Sequence, residues 1–171
     1  MFKQNPHYQA ILDFYGDRKA KRSNVAYINH INEGLVILDE INADISAKEA
    51  FCLHPIVQTD EDLAKAFQKD SVLYRYLIDL YALSLAMEYR WIANGYLSSR
   101  IINDLSEVKL SPLPAVQQML IADKVQNRKD FELYHKNTHP RAKQLTNYFQ
   151  NWLEILKISE QQYKSLVSII N

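Results

Sequence analysis

Glycine and proline are scarce in this chain, at three and five in 171 residues. A β-rich domain turns often and uses both at its turns, so their scarcity points to helices. There is one cysteine, Cys52, which excludes an internal disulfide. Its place in an apolar helical run reads as a small core residue, and a reducing cytoplasm is the expected setting. Net charge is absent too, with 20 basic and 20 acidic side chains. No whole-molecule field therefore draws the chain to nucleic acid or to an anionic membrane. Only DRKAKRS, residues 17–23, is locally basic. The longest apolar run is interrupted by Arg75, Asp79, Glu88 and Arg90, so no membrane-spanning stretch is expected. The opening MFKQNPHYQAIL lacks a signal-peptide layout. There is no internal repeat, no low-complexity tract and no alternating run long enough for a sheet.

What the chain does have is 47% hydrophobic residues, in runs with helical spacing. Its length suits one domain with a real core. The first predicted helix covers 6–15, with Pro6 in its first turn and Gly16 at its end. A second covers 24–41, its stripe being Tyr27, Ile31, Leu35 and Leu38. The S-x-x-E pattern of Ser46 and Glu49 predicts the start of a third, and Pro55 ends or kinks it at His54. A short fourth helix is expected over 60–67. A long, central fifth follows over 71–102, with Leu73, Leu77, Leu80, Met87 and Trp91 on one face. Further helices are predicted over 115–135, 141–156 and 159–170, the last capped by Ser159 with Gln162. The expected fold is an all-α bundle of about eight helices, one domain spanning 1–171.

Three polar residues stand out in apolar segments. His30 opens an H-x-x-E pattern with Glu33, and residues three apart share a side of a helix. His54 follows after one helix-to-helix turn, so both imidazoles can reach one place. Asp123 lies in a third segment, four residues before Asn127, with Lys124 and Arg128 as a second pair one position round. Two imidazoles and a carboxylate suit a divalent metal, and an amide and cations suit phosphate oxygens. The plainer alternative is three unrelated buried polar groups, each satisfied by a neighbour. His7, His135 and His139 read as surface residues.

The order R-S-x-x-x-Y-I-x-H ending at His30, A-F-C-L-H ending at His54 and L-I-A-D-K-V-Q-N-R containing Asp123 resembles the HD-domain phosphohydrolases. The closest likeness is to the hydrolase domain of RelA/SpoT proteins, which removes pyrophosphate from (p)ppGpp. There the corresponding helices carry R-S-G-x-P-Y-x-x-H, L-L-H-D-x-x-E-D and L-A-D-R-x-H-N-x-R. The resemblance covers residues 18–131. It implies an HD-like orthogonal helical bundle. It implies a divalent metal, Mn2+ or similar, on His30, His54 and Asp123. Asn127 would face a nucleotide, with Arg22 and Tyr27 near its base or phosphates, and Lys124 and Arg128 would help orient it. The chain departs from the family in one place: Pro55 replaces the aspartate after the second histidine, and Gln58 and Thr59 replace the acidic pair that activates water. Glu33 and Asp60 are the carboxylates available as substitutes in catalysis. The expectation is a metal-dependent phosphohydrolase acting on a nucleotide or (p)ppGpp-type bond. A nucleotide-binding regulator without metal and a helical interaction module are the alternatives.

Overall fold

Asn5 accepts the His7 N–H at 2.9 Å and Pro6 follows it, so the first helix starts where two end signals meet. The computed structural model describes residues 2–21 and 23–170, and among these it is all-helical with no strand. The helices are α1 (Pro6–Tyr15), α2 (Ile28–Glu40), α3 (Ile45–Leu53), α4 (Asp60–Ala66), α5 (Val72–Arg75), α6 (Leu80–Gly95), α7 (Pro114–Asp130), α8 (Ala142–Ile155) and α9 (Glu160–Ser168). A π-helical turn over Phe131–His135 extends α7. The chain is thus an all-α bundle of about the expected helix number. No helix of the described residues is long and apolar enough to cross a membrane.

The bundle is built around α3, which packs against α1, α2, α6 and α7. Ala47, Ala50, Phe51, Cys52 and Leu53 on it are buried. Cys52 is therefore a core residue, and burial pushes its thiol pKa up. Small residues allow the close approaches: Ala82, Ala86 and Ala93 line the buried face of α6, and Gly34 of α2 lies under the Phe51 ring. The Tyr27 N–H donates to the Arg18 carbonyl at 3.0 Å, and Lys19 bridges to Ala26, which brings Arg18 and Tyr27 side by side.

Three expectations are corrected. The third helix begins at Ile45 after Asp44, and the Ser46–Glu49 box does not form. Glu49 instead accepts the Asn5 side-chain amide at 2.9 Å, a contact 44 residues away. The long fifth helix is broken into α5 and α6. Tyr76 is extended, and Asp79 caps α6 by accepting the Ala82 N–H at 2.9 Å. The Asp79 N–H donates to His7 Nε2 at 2.9 Å, so the break leaves that donor satisfied outside any helix. Consequently Leu77, Leu80 and Trp91 are 87%, 77% and 75% exposed, and do not form a core face. His7 is the third correction, because it is buried, while His135 and His139 are partly exposed.

Two outcomes follow from this packing. A Cβ on Gly34 would lie 2.2 Å from the Phe51 ring. Gly34→Ala is expected to lower folding stability by about 1–3 kcal/mol in urea titrations despite its better helix propensity. Burial lowers the His7 pKa below 6.5, against the opposing pull of Glu49 and Asp79. The unfolded chain then binds the proton more readily, so stability is fully present above about pH 6.5 and falls as pH drops below it. His7→Gln should flatten that slope in acid-range denaturation curves.

Candidate metal centre

α2 delivers His30, the end of α3 delivers His54 and α7 delivers Asp123. His30 Nε2 lies 3.3 Å from His54 Nε2, and Asp123 Oδ1 lies 3.5 Å and 3.9 Å from them respectively. The three expected ligands therefore converge, and all three ligand atoms lie within 4.8 Å of one another. Pro55 places His54 well: α3 stops at Leu53 and a 3-10 turn over His54–Ile56 swings the imidazole inward.

The hydrogen bonds behind the rings decide which nitrogens carry protons. Gln126 is fully buried, and its Nε2 donates to Glu33 Oε2 at 3.0 Å and to Asp130 Oδ2 at 2.9 Å. Both partners are carboxylates, which accept only, so the amide orientation is fixed. Its Oε1 must then accept from His30 Nδ1, 2.6 Å away. His54 Nδ1 likewise donates to the Phe51 carbonyl at 2.6 Å. In the neutral form of each ring the lone pair then sits on Nε2, and the two Nε2 atoms face each other and a carboxylate oxygen. Burial, then the neighbouring His30, lowers the His54 pKa to about 3, so a proton on His54 does not relieve the crowding near neutral pH.

A metal cation would relieve it. For metal bonds of ~2.1 Å a tetrahedral edge is ~3.4 Å, close to the separations present. Two imidazoles and one carboxylate are also a donor set that leaves a coordination position open. The donors thus fit a divalent ion. Asp123 is suited to its part: burial works to raise its pKa, but Lys124 Nζ at 2.8 Å, together with His30 and His54, outweighs this and holds it down at about 2. Asn127 Nδ2 donates to Asp123 Oδ1 at 2.8 Å and fixes its direction. Burial, followed by the Asp123 charge, holds the Tyr89 hydroxyl in its protonated form. Its ring sits 4.8 Å from that of His54.

The cluster forms the floor of an open cleft of about 410 Å3. Arg18, Tyr27, Pro55, Gln58 and Asp62 are among its walls. The cleft shares Tyr27, His30, Lys124 and Asn127 with a second hollow of about 550 Å3. Other expected site residues lie elsewhere. Glu33 accepts from Asn29, Gln126 and Lys129 and supports His30 from behind. Asp60 is on the surface, paired with Arg90. Arg128 faces away, holding both Glu160 oxygens at 2.8 and 2.9 Å and stacking on Tyr163. Arg22 lies outside the described residues.

Sequence reasoning missed Gln126, Arg18, Asp62 and Tyr89. Gln126 was signalled by its polarity in an apolar segment and its spacing of four from Asp130, and Arg18 by the basic run. Nothing marks Tyr89 among its helix's other aromatics. The chain matches no protein-family model, no curated protein and no solved structure.

Gln126→Leu removes the acceptor that sets the His30 tautomer. Titration calorimetry with Mn2+ or Zn2+ should show affinity weakened by about 10–100-fold. Stability should fall by about 1–3 kcal/mol. Unchanged metal affinity would take Gln126 out of this role.

Proposed function

We propose that this chain is a divergent metal-dependent phosphohydrolase of the HD-domain type, acting on a nucleotide or a (p)ppGpp-like phosphoester or pyrophosphate. The reading is carried by one observation: two imidazole Nε2 atoms and a carboxylate oxygen converge on the floor of an open cleft. His30, His54 and Asp123 would hold the ion. When bound, it supplies Lewis-acid polarisation of a phosphoryl oxygen and lowers the pKa of water.

The chain's own groups do the rest. Arg18 at the cleft wall is held by the end of α1: its Nε donates to the Tyr15 carbonyl at 3.0 Å and its Nη2 to the Phe14 carbonyl, which leaves Nη1 for phosphate oxygens. Lys124 keeps its charge although buried, because Asp123 and Tyr148 outweigh the desolvation. Asn127 holds Asp123 in place and leaves its carbonyl for the substrate. Tyr27 offers a ring face to a base. Asp62, rather than Asp60, is the carboxylate on the wall able to take a proton from water. Thr59 holds it, with its hydroxyl 2.6 Å from Oδ2.

One observation favours a second reading. Pro55 and Gln58 line the wall where the related enzymes carry acids, and neither can ionise. A pocket with that wall suits binding without turnover, as in a nucleotide sensor.

The two readings separate on one set of measurements. Metal content of protein purified without chelator comes first, followed by hydrolysis of nucleotides and (p)ppGpp with added Mn2+. The expected result is a bound divalent ion and turnover. His54→Ala should abolish both, Asp62→Asn should cut kcat by about 100-fold or more while retaining metal, and Asp60→Asn should leave both intact. Nucleotide binding without metal or turnover would establish the second reading. Neither metal nor nucleotide binding would overturn both.

A further inference from the structure

The donor set on the cleft floor is smaller than the one the family resemblance implies. Pro55 follows His54 directly, and its ring carries no donor atom. Among the described residues no fourth imidazole, thiolate or carboxylate joins His30, His54 and Asp123. The two oxygens of Asp123 are also not equally free. Oδ2 lies 2.8 Å from Lys124 Nζ, whereas Oδ1 is the oxygen 3.5 Å and 3.9 Å from the imidazole nitrogens. The carboxylate therefore offers one oxygen to anything seated between the rings, and the Lys124 charge offsets its own.

We infer, resting on the reading of the cluster as a metal centre, that these three donors select four-coordinate Zn2+ over the Mn2+ that the resemblance implies. Donor chemistry is the first ground. Imidazole suits zinc, whereas manganese prefers carboxylates and other oxygens and stands at the weak end of the divalent series. This chain has no carboxylate at position 55 and sets a lysine against the one it keeps, which removes what manganese depends on most. Spacing is the second ground. Donors ~2.1 Å from a shared ion stand ~3.4 Å apart at tetrahedral angles and ~3.0 Å apart at octahedral ones. The separations here are 3.3, 3.5 and 3.9 Å, all on the tetrahedral side. The same spacing disfavours Cu2+ and Ni2+, whose square or octahedral sites hold neighbouring donors at ~3.0 Å or less. Behind each ring the support is of the kind zinc-bound histidines use, with Nδ1 bonded to the Gln126 side chain on His30 and to the Phe51 carbonyl on His54. Three protein donors leave the fourth place to a ligand from the cleft, which Pro55 also lines.

Titrating untagged, metal-free protein with Co2+, Zn2+ and Mn2+ tests it. Co2+ accepts either geometry and reports it, because its four-coordinate form absorbs visible light about tenfold more strongly than its six-coordinate form. The expected result is a strong Co2+ band that Zn2+ displaces, with Zn2+ bound at least about 100-fold more tightly than Mn2+. His54→Ala should lose the band. Pro55→Asp supplies a further carboxylate, so the band should weaken and Mn2+ should bind about tenfold more tightly or better. The spectrum of the unaltered chain decides the geometry even where Pro55→Asp does not fold. Weak Co2+ absorption with the ion bound, or Mn2+ bound as tightly as Zn2+, overturns this inference and leaves the phosphohydrolase reading standing. So does a folded Pro55→Asp protein with an unchanged metal preference. Uptake of none of the three ions, or a band that survives His54→Ala, overturns both.

Discussion

The site depends on two imidazole nitrogens held 3.3 Å apart. Left alone, the His30 and His54 rings would be free to turn apart. They are held because each is anchored on its far side, His54 to the Phe51 carbonyl and His30 to Gln126. Gln126 is itself fixed only because two carboxylates take both of its amide hydrogens. Removing any one link frees a ring to rotate. The arrangement is therefore a donor set preorganised by the surrounding hydrogen bonds. It also explains why Glu33 matters without touching the cleft. Lys129 Nζ meets its two oxygens at 2.6 and 2.7 Å, which keeps it an acceptor towards Gln126.

The bundle was legible in the sequence where end signals were local. Pro6 with Gly16, and Ser159 with Gln162, mark helix ends by hydrogen bonds made within a few residues, and both ends form. The long helix was misread because its break is tertiary. Nothing in Tyr76–Asp79 forbids a helix, and the backbone is drawn out by the buried His7 ring 72 residues earlier. The convergence of His30, His54 and Asp123 was legible because they are polar residues in otherwise apolar helical segments. Asp60 was the carboxylate expected beside them, but it lies on the surface with Arg90, and Asp62 is the one on the cleft wall. Asp60, Glu61 and Asp62 share the first turn of α4, and rotation of about 100° per residue decides which one faces inward. Spacing from a distant motif cannot resolve that rotation. The Thr59 cap can, because the Asp62 N–H donates to it at 3.0 Å and the side chain follows.

Hydropathy ranks the two site-bearing helices in the wrong order. α6 is rich in leucine, tyrosine and alanine, yet a whole face of it is open to solvent. α7 carries Asp123, Lys124, Gln126, Arg128 and Lys129, yet all five are buried. A charge that leaves water needs a partner to remain ionised. On α7 each of the three cations has one: Lys124 takes Asp123 of the same helix, Lys129 takes Glu33 of α2, and Arg128 takes Glu160 at the start of α9. The pairs run to different elements, so the polar helix ties α2 and α9 to the core while its remaining face presents Asp123 to the histidines. Leucines at those positions would pack without fixing how α2 stands against α7. That rotation is what aims His30 at His54, so here the buried charges set the geometry of the site rather than add to its stability.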